Sequence, residues 1–133
     1  MTKTFIDLLG EPFQVTFTEH DISKYEVLFH VTSKQTRKQI EEQGLLIGQP
    51  MRKSLVETNL LFLSYPINQN TGDLFRWHDE TCTLIILDAI ALLKSGYIFY
   101  NDYFSSEDQS SLQNHLVCEQ SIPKEYILKI VEF

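Results

Sequence analysis

The chain has 133 residues, enough for one domain, and 43% of them are apolar, including nine Phe and six Tyr, so a core can form without disulfide or metal staples. The formal charge of −7 argues against tight, sequence-blind binding of duplex nucleic acid, which needs a positive surface to neutralise phosphates. Two cysteines, Cys82 and Cys118, sit in apolar runs; they read as small core residues of a reducing compartment and fall short of a cysteine-only zinc site.

The start, MTKTFIDLLGEPF, carries one Lys and no long apolar core, so no secretory leader is expected. No apolar run reaches the length of a membrane span, and a cytoplasmic protein is the expectation. Residues 1–12 read as a short helix or an arm ending at Gly10. PFQVTFT (12–18) alternates Phe13, Val15 and Phe17 on one face, a strand signal. HDISKYE reads as loop, and EVLFHVT (26–32) as a buried strand.

Ser33 can cap a helix over 33–44, and Gly44 suits the position just past its end. Lys34, Arg37 and Lys38 cluster there, as a solvated face or a local basic patch. Residues 45–58 read as irregular, with Gly48 and Pro50 as breakers. NLLFLSY (59–65) is a strand, INQNTG a polar turn, and GDLFRWHDE (72–80) a short helix or turn. TCTLIILD (81–88) is apolar on both faces and so central or covered. DAIALLKSG (88–96) is a helix started by Asp88. YIFYNDYF (97–104) begins as a strand, 105–113 looks helical, and NHLVCEQSIP and EYILKIVEF are closing strands. Strands with interspersed short helices, without regular βαβ alternation, predict an α+β fold with an antiparallel or mixed sheet.

His30 and Thr32 fall on the same face of their strand, because side chains alternate with period two. An imidazole and a hydroxyl projecting together suit a ribose or an amide. The alternative is a core histidine bonded to a neighbouring carbonyl. The four histidines, His20, His30, His78 and His115, are spread singly and show no metal-ligating spacing. There is no phosphate loop, no GxSxG elbow and no HExxH helix.

LFHVTSKQTRKQIEEQGL resembles the first motif of the ADP-ribosyltransferase superfamily: a strand ending in His-x-Thr/Ser, a helix, and a closing Gly-Leu pair. The resemblance implies that His30 and Thr32 hold the nicotinamide-side ribose of NAD, with Ser33 adjacent and backbone at Val31 holding the carboxamide. NLLFLSYPINQN matches the second motif by position, so Ser64 and Tyr65 are the residues implied to pack on nicotinamide. Only one of the two can face the ligand, and Tyr65 offers both a ring and a hydroxyl. TLIILDAIALLKSGYIFYND and NHLVCEQSIPKEYILKI are similar to the DarT-type branch, the latter to the third motif and closing strand.

That third motif normally opens on a catalytic glutamate. Aligned on the Ile-Pro pair, the position here is His115. An imidazole can bond a hydroxyl or act as a base near neutrality, but it supplies no formal negative charge. Glu119 lies roughly 13 Å further along the strand; Asp102, in the preceding turn, is the other acidic candidate. Arg76 and Trp77 can clamp a phosphate and stack a base, or Trp77 can simply anchor a short helix.

The resemblance therefore implies an ADP-ribosyltransferase-like split sheet with short flanking helices. The implied activity is mono-ADP-ribosyl transfer from NAD to a macromolecular acceptor, protein or nucleic acid. A toxin facing an antitoxin, or a phage factor acting on a host defence protein, would fit. The alternatives are a domain that binds NAD or an ADP-ribose-like ligand without turnover, and an interaction protein whose motifs are core positions.

Overall fold

The computed structural model describes residues 1–6, 9–47, 60–66, 82–101 and 115–132. The strands are β1 (Thr2–Ile6), β2 (Pro12–Thr16), β3 (Glu19–His20), β4 (Val27–Ser33), β5 (Leu61–Ser64), β6 (Cys82–Asp88), β7 (Phe99–Asn101), β8 (His115–Cys118) and β9 (Ile127–Glu132). The helices are α1 (Arg37–Gln43) and α2 (Ala89–Lys94). The architecture is α+β, and every ladder among the described residues is antiparallel.

Within residues 1–12, expected as a helix or arm, residues 2–6 instead form β1 and Pro12 opens β2. TKTFI alternates, so one side of β1 turns Phe5 inward while Thr2 and Thr4 stay exposed. Gly10, at φ 82, supplies the left-handed backbone of the intervening turn. The hairpin lies on the main sheet through Phe5, Val15 and Phe17, which pack with Leu60 and Val117.

The main sheet has seven strands in the order β3-β7-β8-β5-β4-β6-β9. β3 takes in His20, the first residue of the stretch expected as loop; its two residues pair with β7. The LIIL run of β6 is flanked by β4 and β9, and Leu84, Ile85 and Leu87 are buried on opposite faces. One face carries Leu28, Leu61, Leu63, Ile85, Leu87 and Leu116, covered by Ile40 of α1 and by Ala89 and Leu92 of α2. The other carries Phe29 against Leu84, beside the hairpin.

The helix expected over 33–44 is shorter. A 3-10 turn, Lys34–Thr36, precedes α1, and Ser33 makes no side-chain cap bond. Thr36 takes over locally, its hydroxyl donating to the Ser33 carbonyl at 2.9 Å. Asp88 caps α2 as expected, accepting the Ala91 N–H at 3.0 Å. Arg37, counted in the basic cluster, is committed within the fold to Glu41 at 2.7 Å and Glu132 at 2.8 Å. Among the described residues no helix is long and apolar enough to cross a membrane.

One junction positions the site. β4 and β6 share a ladder of seven pairs, and β5 and β8 a ladder of four. β4 and β5 share a single pair, Phe29↔Ser64. Beyond it, toward His30–Ser33 on one side and Leu61–Leu63 on the other, no further ladder pair joins the two strands among the described residues, which leaves an opening in the backbone pairing.

Candidate functional site

His30 stands at that opening, half-buried, on the face of its ladder partner Ile85. Its Nδ1 lies 2.7 Å from the carbonyl oxygen of Phe62 on β5. A carbonyl only accepts, so Nδ1 carries the proton and, in the neutral ring, Nε2 is the acceptor nitrogen. The imidazole thus links the two strands where their ladder pairing has ended, and the bond fixes its tautomer.

Thr32 shares the face of His30 but is only 2% exposed. Its Oγ1 lies 2.6 Å from that of Thr36. Thr36 gives its own proton to the Ser33 carbonyl, so Thr32 is the donor in the shared bond. In this arrangement Thr32 anchors the 3-10 turn that follows the strand. Val31 places its backbone at the opening and its half-buried side chain among Phe29 and Leu84 on the opposite face.

Tyr65, just past β5, packs against the core on the same face as His30. Its ring is stacked on two others: His20 at 4.8 Å and 17°, and Tyr25 at 4.8 Å and 21°. His20 and Tyr25 are nearly parallel, at 9°, with centroids 5.9 Å apart. The two are joined edge to edge, since His20 Nε2 lies 3.0 Å from the Tyr25 hydroxyl. On its other side His20 Nδ1 lies 2.9 Å from Asn101 Oδ1. That oxygen only accepts, so Nδ1 donates and, in the neutral ring, Nε2 receives the Tyr25 proton. Lys24 sits over the Tyr25 ring at 5.4 Å. Burial pushes the Tyr25 phenol up from its ordinary pKa, with Asp21 adding to it. Burial likewise raises Tyr65, with Tyr25 adding to it. Both phenols are therefore neutral, and they donate rather than carry charge at neutral pH.

Ser64 and His115 occupy the other face. Ser64 pairs with both Phe29 and His115, so these three side chains point the same way, opposite to His30. Ser64 Oγ and His115 Nδ1 are 3.4 Å apart. Glu119, past the end of β8, faces the hairpin and makes an ion pair with Lys3 at 3.8 Å. The structure therefore gathers His30, Tyr65, Tyr25 and His20 on one face and leaves His115, Ser64 and Glu119 off it. Asp102 and Arg76 lie outside the described residues.

His20, Tyr25 and Asn101 were not singled out from the sequence. A polar ring at each end of HDISKY was the available signal. Asn101 enters from 81 residues away and carries no local mark. Cys118 is fully buried, and burial raises its thiol pKa, which keeps it protonated and inert. No protein-family model matches the chain, and no curated protein matches it.

Proposed function

We propose that the chain is an ADP-ribosyltransferase-like domain that binds NAD beside His30 and transfers its ADP-ribose to a macromolecular acceptor. The observation that carries this reading is the position of His30. It stands where the β4–β5 ladder ends after one pair, with its tautomer set by the Phe62 carbonyl and Tyr65 on the same face. The acceptor nitrogen of that ring suits a ribose hydroxyl, and the backbone of Val31 beside it suits a carboxamide. The three segments that resemble the family's motifs contribute β4, β5 and β8, which are consecutive in the sheet.

Transfer breaks the bond between nicotinamide and ribose and leaves positive charge on the sugar carbon. Charge placed opposite that centre is the largest expected contribution to rate. Of the acidic candidates, Glu119 is engaged by Lys3. His115 pairs with Ser64 on the face opposite His30. These observations favour a second reading, in which the domain holds NAD or an ADP-ribose-like ligand without turnover.

Labelled NAD incubated with the protein and a cell lysate separates the two. Transferase activity releases nicotinamide and moves label onto protein or nucleic acid, and His30→Ala abolishes both. Pure binding raises thermal stability with NAD, by about 2.7 kcal/mol at one hundred times Kd, without release. A wild-type protein that neither releases nicotinamide nor is stabilised by NAD removes both readings.

A further inference from the structure

We infer that His20 and Tyr25 are positioning residues that hold the Tyr65 ring as the stacking surface for nicotinamide. The inference rests on the proposed NAD site and adds residues that the resemblance does not supply. Tyr65 alone would be a ring on the last residues of a strand, able to rotate about its side-chain torsions. Here its plane is dictated from beneath. Asn101, at the end of β7, fixes one nitrogen of His20, and Tyr25 closes on the other, at 2.9 Å and 3.0 Å. The two hydrogen-bonded rings, nearly parallel at 9°, together form a floor. Tyr65 lies across both halves of that floor at the same 4.8 Å. An offset-stacked aromatic ligand needs such a fixed plane, and stacking on a ring already immobilised costs less ordering entropy than stacking on a mobile one.

The floor also ties separate parts of the chain to the site: β3, the loop before β4, β7 and the residue after β5 all contribute to it. Its hydrogen bonds join His20 to Asn101 and to Tyr25, so removing one acts on the support beneath Tyr65.

The test compares two ligands that differ by one ring. NAD carries nicotinamide; ADP-ribose is the same molecule without it. Binding of each is measured by calorimetry to the wild type, Tyr25→Phe and His20→Ala. Tyr25→Phe keeps the ring and deletes only the hydroxyl that His20 receives, so it preserves packing. The expected result is a roughly three- to tenfold weaker Kd for NAD in Tyr25→Phe, and at least as large a loss in His20→Ala. ADP-ribose affinity stays within about twofold in both. Equal weakening of the two ligands would assign the pair a general structural role and overturn the inference. Unchanged NAD affinity in both variants would also overturn it and leave the proposed NAD site standing. A wild type that binds neither ligand overturns the inference together with the site on which it rests.

Discussion

At the scale of single residues, Gly44 shows how backbone conformation can be essential away from any chemistry. It follows α1 at φ 75, where other residues are strained. A Cβ there would collide with the Ile122 carbonyl oxygen and meet the Lys124 nitrogen at 2.7 Å and the Pro123 carbonyl carbon at 2.9 Å. All three are backbone atoms that no side-chain rotation clears. The next residue, Leu45, exchanges two hydrogen bonds with Ile122, both at 2.8 Å. Gly44→Ala must therefore bear the strain and push this bridge apart, at a cost of about 2–4 kcal/mol. Denaturant titration should show the midpoint fall with an unchanged slope. A loss below about 1 kcal/mol would mean that the 122–124 segment yields freely. His30 is the contrasting case, since its side chain is held by a carbonyl yet makes little of the core. On the proposed reading His30→Ala should abolish NAD stabilisation, and loss of the Phe62 hydrogen bond should lower intrinsic stability by about 1–2 kcal/mol.

Elements were legible in the sequence wherever their own side chains decided them. β6 has an apolar run bounded by turn residues, and α2 has its capping Asp88, so both appear nearly where expected. The expectation of a helix or arm over 1–12 passes over the alternation of Thr-Lys-Thr-Phe-Ile, whose strand is completed by five cross-strand pairs with β2. The expected grouping of His30, Tyr65 and His115 required knowing which pleat faces which side. That depends on the Phe29↔Ser64 and Ser64↔His115 registers, set between strands distant in sequence. The link from β9 to α1 was equally invisible. Arg37 bonds Glu132, and this bond holds the Glu132 carboxyl below its ordinary pKa. A carboxylate depressed in the folded state stabilises above its unfolded pKa, and the contribution is lost as pH falls through the folded value. Glu132→Gln should therefore be less stable than wild type at about pH 7, and the gap should close as pH falls through the lowered folded pKa of Glu132, in urea titrations across that range. A gap that persists in acid would show that charge linkage is not its source.

For the molecule as a whole, the one-pair junction divides the main sheet into β3-β7-β8-β5 and β4-β6-β9. The two halves still share a core, because Leu28 and Ile85 from one half and Leu61, Leu63 and Leu116 from the other belong to a single cluster. Unfolding should therefore be cooperative, with one transition, even though backbone pairing is interrupted. Local opening is a different matter, since the free energy of a local fluctuation follows the hydrogen bonds and contacts it must break. Among the described residues the β4–β6 ladder has seven pairs, whereas the β4–β5 line has one ladder pair with the His30–Phe62 bond beside it. Native-state hydrogen exchange should consequently find amides of Leu61–Leu63 that face β4 exchanging faster than the ladder amides of Leu84–Leu87. His30→Ala, which removes the side-chain bridge, should speed the former and leave the latter alone. NAD seated at the opening would contact both strands and should slow exchange there selectively. Uniform protection across both halves with ligand would instead indicate binding elsewhere, with stability raised only through the global equilibrium. The line along which the sheet is least paired is thus the line along which a ligand has most to add.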